Sequence, residues 1–171
     1  MSAISIVVLC SVFSNPALYL SETRQAEVCN MLPTVLSEAR QNDLDPFLLM
    51  GLITVESNWK TTAVSWADAC GLTQVIPKWT GGKATKGVKY TCEDLKQPKV
   101  GIEAGARILS WWINSYGKGN IPVGLCGYFS GFRCKPVIHQ KGKNYYLKVL
   151  KNSKKLKKMY LTELNSNDAK N

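Results

Sequence analysis

The 171-residue chain has a single histidine, His139, and its six cysteines (10, 29, 70, 92, 126, 134) show no metal-ligand spacing. A zinc centre is not expected, and no cofactor is implied. No segment repeats, no flexible linker divides the chain, and no nucleic-acid motif is present. Apart from the N-terminus, nothing approaches membrane length. Acidic side chains are scarce at one end. Residues 135–171 carry ten lysines against Glu163 and Asp168, a net of +8. Residues 1–134 carry twelve basic and ten acidic groups, a net of +2.

The length fits one domain, since ~100–200 residues per domain is usual. With 45% hydrophobic and 20% charged residues, the composition is that of an ordinary globular protein with a real core. The lysine-rich end has two readings: a surface that attracts polyanions by steering and counterion release, or the solvated outer face of a last helix. Cys126 and Cys134 flank "GYFSGFR" and could staple that loop in an oxidising compartment; reduced, buried thiols are the alternative.

Residues 1–20 form an apolar N-terminal segment, read as a signal peptide or an uncleaved anchor, ahead of a domain spanning 21–171. The apolar run from Ala3 to Phe13 suits a signal-peptide core better than a span. No Lys or Arg precedes it, and Val12-Phe13-Ser14 is only a fair cleavage sequence. A plain buried first helix is the third reading. Any membrane contact is expected through this segment alone.

Capping signals set out the helices. Ser21 caps a helix predicted to reach about Asn42, with a bend allowed at Pro33. Asp45 and Pro46 open "DPFLLMGLITVES", which is nearly all apolar and belongs in the core. "TGGKATKGVKYTCEDL" reads as a surface loop. Further helices are predicted from Pro98 to near Gly117, from Pro122 to Gly131, and over the lysine-rich end with Tyr146, Val149 and Leu150 inward. Five or six helices with one loop-rich insertion make a mainly α domain.

One residue breaks the pattern. On a helix, Ile53, Leu52 and Leu49 share the face of Glu56, so a carboxyl projects from the core side at the helix C-terminus. Apolar neighbours and the helix dipole both raise its pKa, and a carboxylic acid protonated near neutral pH can act as the general acid of glycosidic cleavage. The plainer alternative is a helix-end glutamate paired with Lys60 or Arg107.

Glu56-Ser57, then Ala63 and Ser65, then Gly71-Leu72-Thr73-Gln74, and finally "GYFSG" at 127–131 resemble the signature of the soluble lytic transglycosylases of peptidoglycan. The blocks occur in order between about Asp45 and Tyr146. The resemblance implies a compact helical domain of the lysozyme-like α+β superfamily, with a catalytic cleft. It implies Glu56 as the catalytic acid and base, Ser57 and Gln74 at the sugar, and Tyr128 hydrogen-bonding near the Glu56 carboxyl. Thr73 stands where the family usually has Met, Phe129 where it has Asn, and Gly127 where it has Ala. The Phe129 departure removes a hydrogen-bonding side chain from the cleft wall.

Most glycosidases place two carboxylates about the scissile bond, and no second acid lies in a comparably apolar position here. A single carboxylate suits substrate-assisted cleavage of the MurNAc-β-1,4-GlcNAc bond with a 1,6-anhydro product. Trp66 and Trp79 flank the Gln74 turn and are the expected cleft walls; of Trp111 and Trp112, adjacent in a helix, at least one is expected in the core. The alternatives are a lysozyme-type muramidase with Asp68 positioning water, a catalytically decayed peptidoglycan-binding module, and a nucleic-acid-binding protein. The expected partner is the peptidoglycan strand, reached in the periplasm or cell envelope by export or by delivery as a phage lysis or virion protein. A secretion or conjugation apparatus is a further setting.

Overall fold

The computed structural model describes residues 4–134 and 140–168; His139 lies outside them. The chain is mainly α-helical. Its helices are α1 (Ile6–Phe13), α2 (Glu22–Gln41), α3 (Pro46–Ser57), α4 (Cys92–Lys96), α5 (Pro98–Ser110), α6 (Ile121–Ser130) and α7 (Gln140–Asp168). Among the described residues the only β pairing is two isolated antiparallel bridges, Val64 with Cys70 and Cys70 with Val75.

Local chemistry accounts for the boundaries. Ser21 accepts a hydrogen bond from the Arg24 N–H at the start of α2, and Asp45 accepts one from Phe47 at the start of α3. α2 runs through Pro33, which is exposed. α6 begins one residue earlier than Pro122 alone suggests, because Asn120 caps the Val123 N–H and places Pro122 inside the first turn. α5 does not stop at Ser110 but widens into a π-helical turn over Trp111–Tyr116, closed at Gly117.

The seven central residues of α3, Phe47–Ile53, are buried, and α7 packs along them. Gly51 permits this approach: a Cβ there would stand 2.9 Å from the backbone N of Ser153 and the carbonyl of Val149. The inward stripe of α7 is Tyr145, Val149, Leu156 and Tyr160. Val149 is inward as expected, while Tyr146 and Leu150 are only partly buried and pack at the edge of the same core. The lysines of α7 at 141, 143, 148, 151, 154, 155, 157 and 158 are all exposed.

α1 buries Val8, Leu9, Val12 and Phe13 against α2 and α7, and Phe13 meets Trp59 edge to face at 5.0 Å. A Cys10–Cys29 disulfide ties α1 to α2. One face of α1 is thus packed into the domain's core in this structure. No helix among the described residues is long and apolar enough to cross a membrane. A second, smaller cluster of Cys70, Val75, Tyr90, Leu95 and Ala104 supports the loop-rich insertion, fastened by a Cys70–Cys92 disulfide. Cys126 pairs with Cys134, leaving no free cysteine among the described residues.

Candidate active site

α3 ends where Asn58 turns left-handed (φ 47°), and Glu56 and Ser57 form its last turn. Leu49, Leu52 and Ile53 beneath Glu56 are completely buried. The Glu56 carboxyl is raised from the ordinary 4.5 to about 7, chiefly because burial strips water from its charged form. Two groups on α7 work against that rise: the Tyr145 O–H, which donates to Glu56 Oε1 in a short hydrogen bond, and the Lys148 ammonium. Among the described residues no cation pairs with Glu56; Arg107 is held 2.7 Å from Glu103 instead.

The Gly71–Gln74 turn lies beside the end of α3, and Ser57 makes the join. Its hydroxyl donates to the Leu72 carbonyl at 2.8 Å, and is also 3.3 Å from the Ile53 carbonyl. Gly71 has φ +74° and lies so close to the Leu95 carbonyl that a Cβ would collide with it. Gln74, partly exposed at φ 51°, spends its amide N–H groups on the carbonyls of Ala63 (3.2 Å) and Gly71 (3.0 Å). Its side-chain oxygen accepts from no donor among the described residues.

One expected contact differs. Thr73 is fully buried, donating its hydroxyl to the Gly101 carbonyl at 2.7 Å and packing on the space left by the missing Cβ of Gly105. Its side chain is therefore a strut between the turn and α5 rather than a sugar contact. Tyr128 donates its hydroxyl to the Thr73 carbonyl at 2.7 Å, close enough to Glu56 to feel its charge. Tyr145 is buried and Tyr128 half-buried near the carboxyl, and both phenols are pushed well above their usual range, first by burial and next by the Glu56 charge. They therefore stay protonated as donors.

Tyr145 is the residue that sequence reasoning missed. The available signal was its spacing: Tyr145, Val149, Leu156 and Tyr160 follow one helical stripe. Trp66 is 97% exposed; Trp79 is 71% exposed, with the Lys78 ammonium over its ring at 5.1 Å from the centroid. Asp68 stands exposed in a left-handed turn (φ 59°) with no ion pair among the described residues. Trp111 and Trp112, both partly buried, pack edge to face at 4.9 Å, and Phe132 closes on Trp112 at 5.0 Å. Gly127 faces the Trp112 ring so closely that a methyl group there would overlap it.

Comparison with known proteins agrees with this arrangement. The model of the Transglycosylase SLT domain family matches residues 33–149. Membrane-bound lytic murein transglycosylase C of Haemophilus ducreyi is 35% identical over 97 residues, covering 54% of this chain and 26% of that protein. The protein of the same name from Actinobacillus pleuropneumoniae serotype 5b is 34% identical over 92 residues, covering 52% and 25%. The chain thus spans about a quarter of the length of these curated relatives. An X-ray structure of an inactive mutant of lytic transglycosylase Slt from Pseudomonas aeruginosa superposes with a TM-score of 0.63 at 22% identity, over 78% of this chain and 24% of that one. That likeness is one of fold. With the family model covering more than half of its length, and the Glu56 turn, the Gln74 turn and α6 all inside the match, the chain belongs to the Transglycosylase SLT domain family.

Proposed function

We propose that this protein is a lytic transglycosylase that cleaves the MurNAc-β-1,4-GlcNAc bond of peptidoglycan, with Glu56 as its single acid and base. The observation that carries this reading is the Glu56 carboxyl, raised to about 7 on an otherwise apolar helix face and gripped by the Tyr145 hydroxyl. Near neutral pH a substantial fraction is protonated, as a general acid requires.

Protonated Glu56 donates to the glycosidic oxygen as the C1–O bond breaks, and the GlcNAc leaves as an alcohol. The neighbouring 2-acetamido carbonyl of MurNAc stabilises C1. The Glu56 carboxylate then removes the proton of the C6 hydroxyl, whose oxygen bonds to C1 and closes the 1,6-anhydro ring. Glu56 ends protonated, ready for another cycle, and no water is consumed. A second carboxylate is unnecessary, in keeping with the exposed, unpaired position of Asp68.

The side-chain oxygen of Gln74 is available to a sugar hydroxyl or amide, while Ser57 holds the turn that carries it. The exposed rings of Trp66 and Trp79 suit pyranose faces. Three disulfides favour an oxidising setting such as the cell envelope, where this substrate lies. Mass analysis of the fragments released from purified sacculi tests the reaction. Anhydro-terminated fragments, one water lighter than hydrolysis products, are expected. Reducing-end MurNAc alone would make the enzyme a muramidase, and no release by folded protein would leave a binding module.

A further inference from the structure

Where the family signature has an amide, this chain has Phe129, at the C-terminal end of α6. Its ring lies against Tyr145 in a parallel stack, with centroids 4.7 Å apart and planes 20° from coplanar. Phe129 is 45% exposed and Tyr145 only 8%, so Phe129 covers one face of the buried phenol and turns its own other side to solvent. The preceding residue, Tyr128, fixes the same turn of α6 to the Thr73 carbonyl. The end of α6 is thus anchored at consecutive positions, first to the Gln74 turn and then to the tyrosine that holds Glu56.

We propose that Phe129 is a positioning residue, which by stacking holds the Tyr145 ring so that its hydroxyl stays on the Glu56 carboxyl. The proposal rests on the transglycosylase reading of Glu56. Tyrosine orientation needs two torsions, and a hydrogen bond at one end leaves the ring free to swing about it. A stack fixes the plane. An amide at position 129 would fasten this wall through hydrogen bonds; here an aromatic face does so. A stacked pair biases orientation by about two- to tenfold.

The titratable groups acting on Glu56 are Tyr145 and Lys148 from α7, and Tyr128 lies close by from α6. Because the Tyr145 O–H favours the carboxylate, its displacement raises the Glu56 pKa. The alkaline limb of the activity profile, where Glu56 loses its proton, then moves to higher pH.

The test measures kcat and KM against pH on solubilised peptidoglycan strands for the wild type, Phe129→Ala, Phe129→Leu, Phe129→Tyr, Tyr145→Phe, Glu56→Gln and the Phe129→Ala/Tyr145→Phe double variant. The expected result is a kcat about five- to tenfold lower for Phe129→Ala, with the alkaline limb shifted upward as in Tyr145→Phe. Phe129→Tyr restores both, and adding Phe129→Ala to Tyr145→Phe changes kcat by less than about twofold. Should the alanine variant not fold, Phe129→Leu carries the comparison, since it keeps bulk and loses the flat face. Equal losses in both backgrounds, or a change in KM alone, overturns the proposal. Activity surviving in Glu56→Gln would instead overturn the transglycosylase reading on which it rests.

Discussion

Glu56 costs this fold stability in return for chemistry. Its folded pKa lies above the ordinary value, near 7 against 4.5, so folding favours the protonated form. That contribution is fully present below pH 4.5 and is lost as pH rises through 7. Glutamine cannot ionise and keeps an oxygen to accept from Tyr145. Glu56→Gln is therefore expected to match the wild type in urea denaturation near pH 5. At pH 8 it should be more stable by about 1–2 kcal/mol, allowing for the water that still reaches a partly exposed carboxyl. A difference that does not grow between these pH values would contradict the burial of the charge. Thr73 shows another side of residue-level reasoning: its polarity suggests a surface role, whereas one hydroxyl bonded to the Gly101 carbonyl lets it sit fully buried.

Helices α3 and α7 show which parts of the site a sequence can reveal. Glu56 was legible because its apolar neighbours lie within two turns of the same helix, so local periodicity alone sets its environment. Tyr145 was not, because its partner lies 89 residues away, and adjacent Tyr146 fits a lysine-rich helix almost as well. A one-residue change of register rotates a helix by about 100° and exchanges the two rings. The helix starts were readable from Ser21, Asp45 and Pro98, whereas the π-helical turn was not, because it answers to ring packing among Trp111, Trp112 and Tyr116. That packing also explains Gly127, the residue that departs from the family's alanine: the Trp112 ring occupies the place of a Cβ. Gly127→Ala should therefore lower stability by about 1–3 kcal/mol, despite alanine's better helix propensity. A melting temperature equal to or above the wild type would show that the ring yields freely.

Across the whole molecule, two hydrophobic clusters share the site. The larger holds α3 and α7; the smaller supports the insertion that carries Gly71 to Gln74. Six cysteines permit fifteen complete pairings, so their partners could not be read before the fold was known. The Cys70–Cys92 bond closes a loop with a sequence separation of 22 around the insertion. Replacing both cysteines with serine is expected to reduce stability by about 2–4 kcal/mol in urea titration. It should also weaken binding to sacculi, because the turn that carries Gln74 loosens while α3 and its carboxyl remain. Unchanged denaturation midpoints would mean that the smaller cluster holds the insertion unaided.

The most direct test is a carbon-13 NMR titration of the Glu56 side-chain carboxyl in the folded protein, assigned by its loss in Glu56→Gln. A midpoint near 7 is the predicted result. A Glu56 midpoint near 4.5 would contradict it, because a carboxylate ionised throughout the neutral range cannot supply the proton that releases the sugar.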